Sequence, residues 1–204
     1  MTAIDAYGDL LRMGSPILTT AEAASRWRVE EGTARRRLRS IAEAGLARRL
    51  RRGLWALDPE VDPFVVPPFL TAPLPAYVSF FSALHRHGLI EQIPRQTSIA
   101  SLDRSRRIVT SVGAYAIHHL APEVFGGFRG SQTAGYLATP EKAIFDSVYI
   151  RAAAGSRAYF PELSLPKGFD DSKAQEWGKR IESPRLRTLV DRRLGEVLRR
   201  AGRE

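Results

Sequence analysis

Over residues 1–60, apolar positions recur with the period of a helix in three successive runs. Ile4, Tyr7, Leu10 and Leu11 pace a first helix that Gly14-Ser15-Pro16 ends. Ile17 and Leu18 make a short extended stretch, and Thr20 is placed to cap a second helix running to Trp27, with Ala24 and Trp27 turned inward. A turn near 28–31 leads to a third helix from Gly32 or Thr33 to Gly45, glycine being the residue type most common just past a helix C-terminus. On that helix Ala34, Leu38, Ile41, Ala42 and Gly45 share one arc. Arg36 and Ser40 lie opposite, and Thr33, Arg37 and Arg39 flank the exposed side. Apolar strands at 46–50 and 54–57, separated by Arg51-Arg52-Gly53, complete a hairpin. The pattern predicts a winged helix-turn-helix over 1–60, with the third helix as the reading element and the hairpin as the wing. Residues 1–63 are expected to fold and bind DNA by themselves around Leu10, Leu11, Trp27, Leu38, Ile41, Leu46 and Trp55.

The pattern then changes. Pro59, Pro63, Pro67, Pro68, Pro73 and Pro75 deny residues 58–75 a regular helix or a central strand, while Phe64, Val65, Val66, Phe69 and Leu70 are too apolar for a solvated tether. A packed linker over 61–75, extended on a domain surface, is expected. In the second domain, 76–204, Ser79 is placed to cap a helix from Phe80 to His87 closed by Gly88. Stretches 97–102 and 108–117, the latter broken by Gly113, read as strands. Thr139-Pro140-Glu141 and Ser183-Pro184 are helix starts, followed by apolar positions at helical spacing, and 155–171 reads as loop. The predicted class is α+β, mainly helical, with an N-terminal winged helix and a C-terminal mixed domain.

Charge sharpens this picture. The chain of 204 residues carries a formal net charge of +9, and between Arg26 and Arg52 ten arginines face three glutamates. Guanidinium forks engage phosphate oxygens or a guanine edge with two parallel hydrogen bonds, so the segment points to double-stranded DNA. The expected DNA-binding set is Thr33, Arg35, Arg36, Arg37, Arg39 and Ser40 on the helix and Arg48, Arg49, Arg51 and Arg52 on the wing. Within it Arg36 and Arg37 are assigned to bases, and Arg51 and Arg52 to phosphate. The absence of cysteine excludes disulfides, thiolate-held metals and a cysteine nucleophile. No run reaches membrane-span length, and Asp5, Asp9 and Arg12 interrupt the N-terminus, unlike a signal peptide. A cytoplasmic protein without membrane contact is expected.

No enzymatic constellation emerges. His85 and His87 diverge on a helix and His118 and His119 point to opposite faces of a strand, so neither pair chelates, and no metal or cofactor is expected. Asp171-Ser172-Lys173 imitates a nuclease set only loosely, and Gly130-Ser131 lacks the paired carboxylates of a nucleotidyltransferase. Lys142 and Asp146, four apart, read as an ordinary ion pair on a capped helix, worth a few tenths of a kcal/mol. The C-terminal helix carries Arg185, Arg187, Arg192, Arg193, Arg199, Arg200 and Arg203, which leaves open a solvated face, a second DNA contact, or a docking surface for RNA or an acidic partner.

Three segments together resemble the AbiEi antitoxin family of bacterial type IV toxin-antitoxin and abortive-infection loci, which serve phage defence. They are Arg52-Gly53-Leu54-Trp55-Ala56-Leu57, then Tyr77-Val78-Ser79-Phe80-Phe81-Ser82-Ala83-Leu84 with His87-Gly88-Leu89-Ile90, and Ala138-Thr139-Pro140-Glu141-Lys142-Ala143-Ile144-Phe145-Asp146. The resemblance covers roughly residues 1–150; the segment from Arg151 onward matches nothing in it. It implies a winged helix that binds repeats, expected to be inverted, in its own promoter and represses its operon. It also implies a second domain that counters a nucleotidyltransferase-like toxin. A stand-alone winged-helix regulator whose second domain senses a ligand or dimerises is the alternative.

Overall fold

The computed structural model describes residues 2–160 and 162–203, so Met1, Pro161 and Glu204, which fall within the expected domains, lie outside the described residues. The chain is an α+β protein. Helix α1 (Ala3–Leu11) begins at a Thr2 capping box, and strand β1 (Ile17–Thr19) leads through a second capping box at Thr19 into α2 (Thr20–Trp27). Arg28 takes a left-handed conformation that ends α2, and α3 (Glu31–Glu43) follows. Strands β2 (Arg48–Arg51) and β3 (Leu54–Ala56) form a hairpin over Arg52-Gly53, and β1 adds to β3 to give a three-stranded antiparallel sheet. Gly53 at φ +80° supplies the turn geometry an L side chain resists.

The first helix is rotated from the expected face. Ala6 and Leu10 are buried, whereas Ile4 and Leu11 are 73% and 49% exposed. Positions 3, 6 and 10 define the inward stripe, and Tyr7 sits at its edge, donating from its hydroxyl to the Leu57 carbonyl at 2.7 Å. Trp55 is a core anchor whose indole N–H reaches Thr20 Oγ1 at 3.0 Å; Trp27 is half-buried at the rim.

Beyond β3 the proline-rich stretch is not extended. It turns tightly and forms a short helix, α4 (Pro67–Thr71), with Pro67 and Pro68 in the first turn, where a missing N–H costs nothing. Strand β4 (Ala76–Val78) then opens a mixed six-stranded sheet with β5 (Thr97–Ser101), β6 (Arg106–Thr110), β7 (Gly113–His119), β8 (Phe128–Ser131) and β9 (Gly135–Ala138), in the order β6-β7-β5-β4-β9-β8. Helices α5 (Phe80–Arg86), α6 (Pro140–Ala153), α7 (Asp171–Gly178) and α8 (Pro184–Arg200) accompany it. Two-residue strands β10 (Ser164–Leu165) and β11 (Gly202–Arg203) pair within the stretch expected as loop and at the C-terminus. Among the described residues no helix is long and apolar enough to cross a membrane.

Strand β3 is buried at all three positions, and one core joins the three-stranded and six-stranded sheets. Ile17, Leu50, Leu54 and Ala56 from the small sheet meet Val61, Val65, Val66 and Leu70 from the proline-rich stretch and Ile99, Ile108, Tyr115 and Ile117 from the large sheet. Polar contacts fasten the same seam: Tyr115 donates to the Pro63 carbonyl at 3.0 Å, Arg106 to that of Leu70 at 3.2 Å, and the Ser111 N–H to that of Leu50 at 2.9 Å. The core expected for residues 1–63 is a separate cluster, in which Leu10, Leu38, Ile41 and Trp55 are buried with Trp27 and Leu46 packed against them and Leu11 takes no part; the small sheet's other side, with Ile17, Leu50 and Leu54, is shared with the rest of the chain.

Candidate nucleic-acid interface

Helix α3 buries Ala34, Leu38 and Ile41 against α1 and α2 and turns its other side outward. Arg35, Arg36, Arg39 and Ser40 are exposed, and Thr33 is partly so. Arg36 is tied to its own helix by a 3.1 Å hydrogen bond to Thr33 Oγ1. On the flank toward the hairpin, Arg35, Arg39, Glu43, Arg49 and Trp55 line a cleft of about 270 Å³, so helix and strand arginines converge there. Arg49 lies over the Trp55 ring at 5.8 Å.

Not every expected residue is free for a ligand. Arg37 is half-buried, its guanidinium 5.6 Å from the centre of the Trp27 ring, which makes it part of the packing of α3 on α2. Arg48 is also half-buried, whereas Arg51 and Arg52 stand exposed at the hairpin tip. Among the described residues, no carboxylate lies within 4.0 Å of any of these eight guanidiniums. Glu30 and Glu31 occupy the start of α3, where they complement the helix dipole and give that terminus negative charge of its own.

A second polar constellation lies deep in the large sheet. Tyr77 and Ser79 project from one side of β4 and its extension, and both hydroxyls donate to Asp146 Oδ2, at 3.0 and 2.7 Å. Lys142 Nζ donates to the other carboxylate oxygen, and all four residues are buried. The ion pair is therefore not the weak surface pair expected from its spacing. Burial pushes the Asp146 carboxyl up and the Lys142 ammonium down, each opposed by the other's charge. Lys142 also sits under aromatic rings, 4.6 Å from Trp177 and 5.0 Å from Phe145. Ser79 thus spends its hydroxyl on Asp146 and does not cap α5 with it. The signal was present in the sequence: Tyr77 and Ser79, two apart in a strand, share a face.

The histidines are dispersed. His87 Nε2 contacts the Ala138 carbonyl at 2.8 Å, His119 Nδ1 that of Leu102 at 3.2 Å and His85 Nδ1 that of Ile90 at 3.4 Å. Among the described residues no cluster of three potential metal ligands occurs. Three of the arginines near the C-terminus are engaged, Arg187 with the Ile181 carbonyl, Arg193 with that of Ser156 and Arg203 with Asp171. Compared with known proteins, the chain matches no family model, and no curated protein matches it.

Proposed function

We propose that this chain is a sequence-specific DNA-binding regulator acting in the cytoplasm, with residues 1–60 as a winged helix-turn-helix. One observation carries the reading: arginines on α3 and on the β2–β3 hairpin are exposed on one side of a packed three-helix unit, without carboxylate partners. Such a surface meets the phosphate backbone over several contacts while the outward side of a helix reaches base edges. Its resemblance to the AbiEi family extends the proposal to an antitoxin that represses its own operon and counters a nucleotidyltransferase-like toxin. The alternative, a stand-alone regulator that senses a ligand, is favoured by an open cleft on the second half of the chain, lined in part by α5, α6 and β7.

The deciding experiment is binding of the full chain to the DNA upstream of its own gene, by fluorescence anisotropy against random duplex, over a range of salt. Preference for the upstream DNA, with a salt slope reduced by about one unit for each phosphate-contacting arginine removed, supports the proposal. Equal affinity for random duplex overturns it. Protection of cells against a neighbouring nucleotidyltransferase by an Arg36→Ala, Arg52→Ala chain supplied from an unrelated promoter separates antitoxin from repressor. Failure to protect leaves the stand-alone regulator.

A further inference from the structure

Helices α5 and α6 cover only part of the large sheet on their side. Beyond them, strands β5, β7 and β6 floor an open cleft of about 1100 Å³. The register sets Ser98 opposite Ala116 and Ala116 opposite Arg107, so these lie in one row on the same face, with His118 two residues along from Ala116. The cleft receives four arginines from four segments: Arg95 from the loop after α5, Arg107 from β6, Arg151 from α6 and Arg157 from the stretch after it. Among the described residues, no acidic residue lines it and no carboxylate lies within 4.0 Å of these guanidiniums. In a chain with 22 acidic residues, four arginines gathered around a concavity without one leave positive charge that only a ligand or counter-ions offset.

The rest of the lining is aromatic and neutral. Phe80 packs against the His118 ring at 4.7 Å between centroids, Phe81 stacks on Phe160 at 5.6 Å, and Tyr159, 78% exposed, stands at the rim. Gln92, Gln96 and Ser98 offer both donors and acceptors. Burial and the neighbouring Arg151 hold the His118 ring below its ordinary pKa, so near neutrality it adds a hydrogen-bonding group without adding charge. An isolated phosphate would use the arginines and leave the aromatic wall and the amides idle. A duplex backbone, convex and stiff, would not enter the concavity.

We propose that this cleft binds a nucleoside di- or triphosphate, with the guanidiniums of Arg95, Arg107, Arg151 and Arg157 on its phosphates and its base against the aromatic wall. The site is separate from the arginines of α3 and the hairpin and does not depend on what they bind.

The test is isothermal titration calorimetry of the full chain with each of the four ribonucleoside triphosphates, with pyrophosphate, with an unphosphorylated nucleoside and with a short single-stranded RNA. Saturable binding of at least one nucleotide, and weaker binding of pyrophosphate and nucleoside, are expected. Removing a charge-assisted contact costs about tenfold or more in affinity, so Arg107→Ala and Arg151→Ala should each weaken binding by about that factor. Both side chains are exposed and unpaired, and thermal unfolding of the variants checks that the fold is kept. The Arg36→Ala, Arg52→Ala chain should bind the nucleotide unchanged. Absence of saturable binding, retention of affinity in the cleft variants, loss in the Arg36→Ala, Arg52→Ala chain, or tighter binding of pyrophosphate or RNA than of any nucleotide would each overturn the proposal.

Discussion

Replacing Lys142 by methionine isolates the energetics of the buried network. Methionine keeps an unbranched stem in the space between Trp177 and Gly127 but removes the ammonium, leaving Asp146 with the Tyr77 and Ser79 hydroxyls as donors. Both charged partners are fully buried, and breaking such a pair from one side costs roughly 3–5 kcal/mol because the remaining charge stays desolvated. For a chain of this size that corresponds to a fall in Tm of roughly 6–20 °C. Acidity should soften the loss. The Asp146 carboxyl is already raised by burial and rises further without its ammonium partner, whereas in the unfolded chain it titrates near its ordinary value of about 3.9. Between those values the folded state holds the extra proton, so stability falls as pH rises through that window and the full deficit appears above it. Adding Asp146→Asn to Lys142→Met should recover part of the loss and abolish its pH dependence. Urea unfolding of the two variants at about pH 4.5 and 7.5 measures all of this. A deficit under about 1 kcal/mol at neutral pH, or one that grows on acidification, would refute the argument.

Three further outcomes follow from the same geometry. Arg36→Ala should leave Tm unchanged and cost on the order of 1–3 kcal/mol on a specific operator, while Arg37→Ala, which removes the stack on Trp27, should also lower stability by about 0.5–1 kcal/mol; equal Tm values for the two would refute the distinction. Leu54→Ala should cost roughly 2–5 kcal/mol, and a 1–63 fragment, which bares Ile17, Leu50 and Leu54, should self-associate; a monomeric, cooperatively melting fragment by ultracentrifugation and circular dichroism would contradict this. Because the folded chain holds His118 below its ordinary pKa, the unfolded state takes up the proton first, and stability should decline as pH falls through about 6.5; His118→Gln should flatten that slope in thermal melts, and an unchanged slope would assign it to other groups.

Local signals in the sequence located most elements. Thr139-Pro140 and Ser183-Pro184 start α6 and α8, and both side chains accept from the N–H three residues on. The exposed side of α3 follows from its 3.6-residue period, as Arg36 and Ser40 show. What escaped depends on tertiary neighbours. Ile4 and Leu11 look like core by spacing, yet only Leu10 of the expected stripe is fully buried, joined by Ala6, with Ala3 and Tyr7 packed beside them. Strands β4, β8 and β9 are three or four residues each, too short for a period to register. Strand β3, expected as one arm of a wing on a self-contained unit, is buried at Leu54, Trp55 and Ala56 between two clusters, one of which draws on residues far along the chain that the hairpin pattern does not name. The cleft arginines are scattered over some sixty residues and carry no local signature at all.

The seam between the two sheets bears on how such a chain can evolve. A DNA-reading head on a solvated tether is a module: recombination can exchange it and leave both pieces soluble. Here the N-terminal unit contributes Ile17, Leu50 and Leu54 to a core completed by Val65, Val66, Ile99 and Ile117, so transplanting it would expose an oily sheet face and the remainder would lose the cover of its own. If residues 1–60 read DNA as proposed, change in specificity is thereby steered toward substitution at exposed positions such as Arg36, Arg39 and Ser40, within a unit whose attachment is inherited whole.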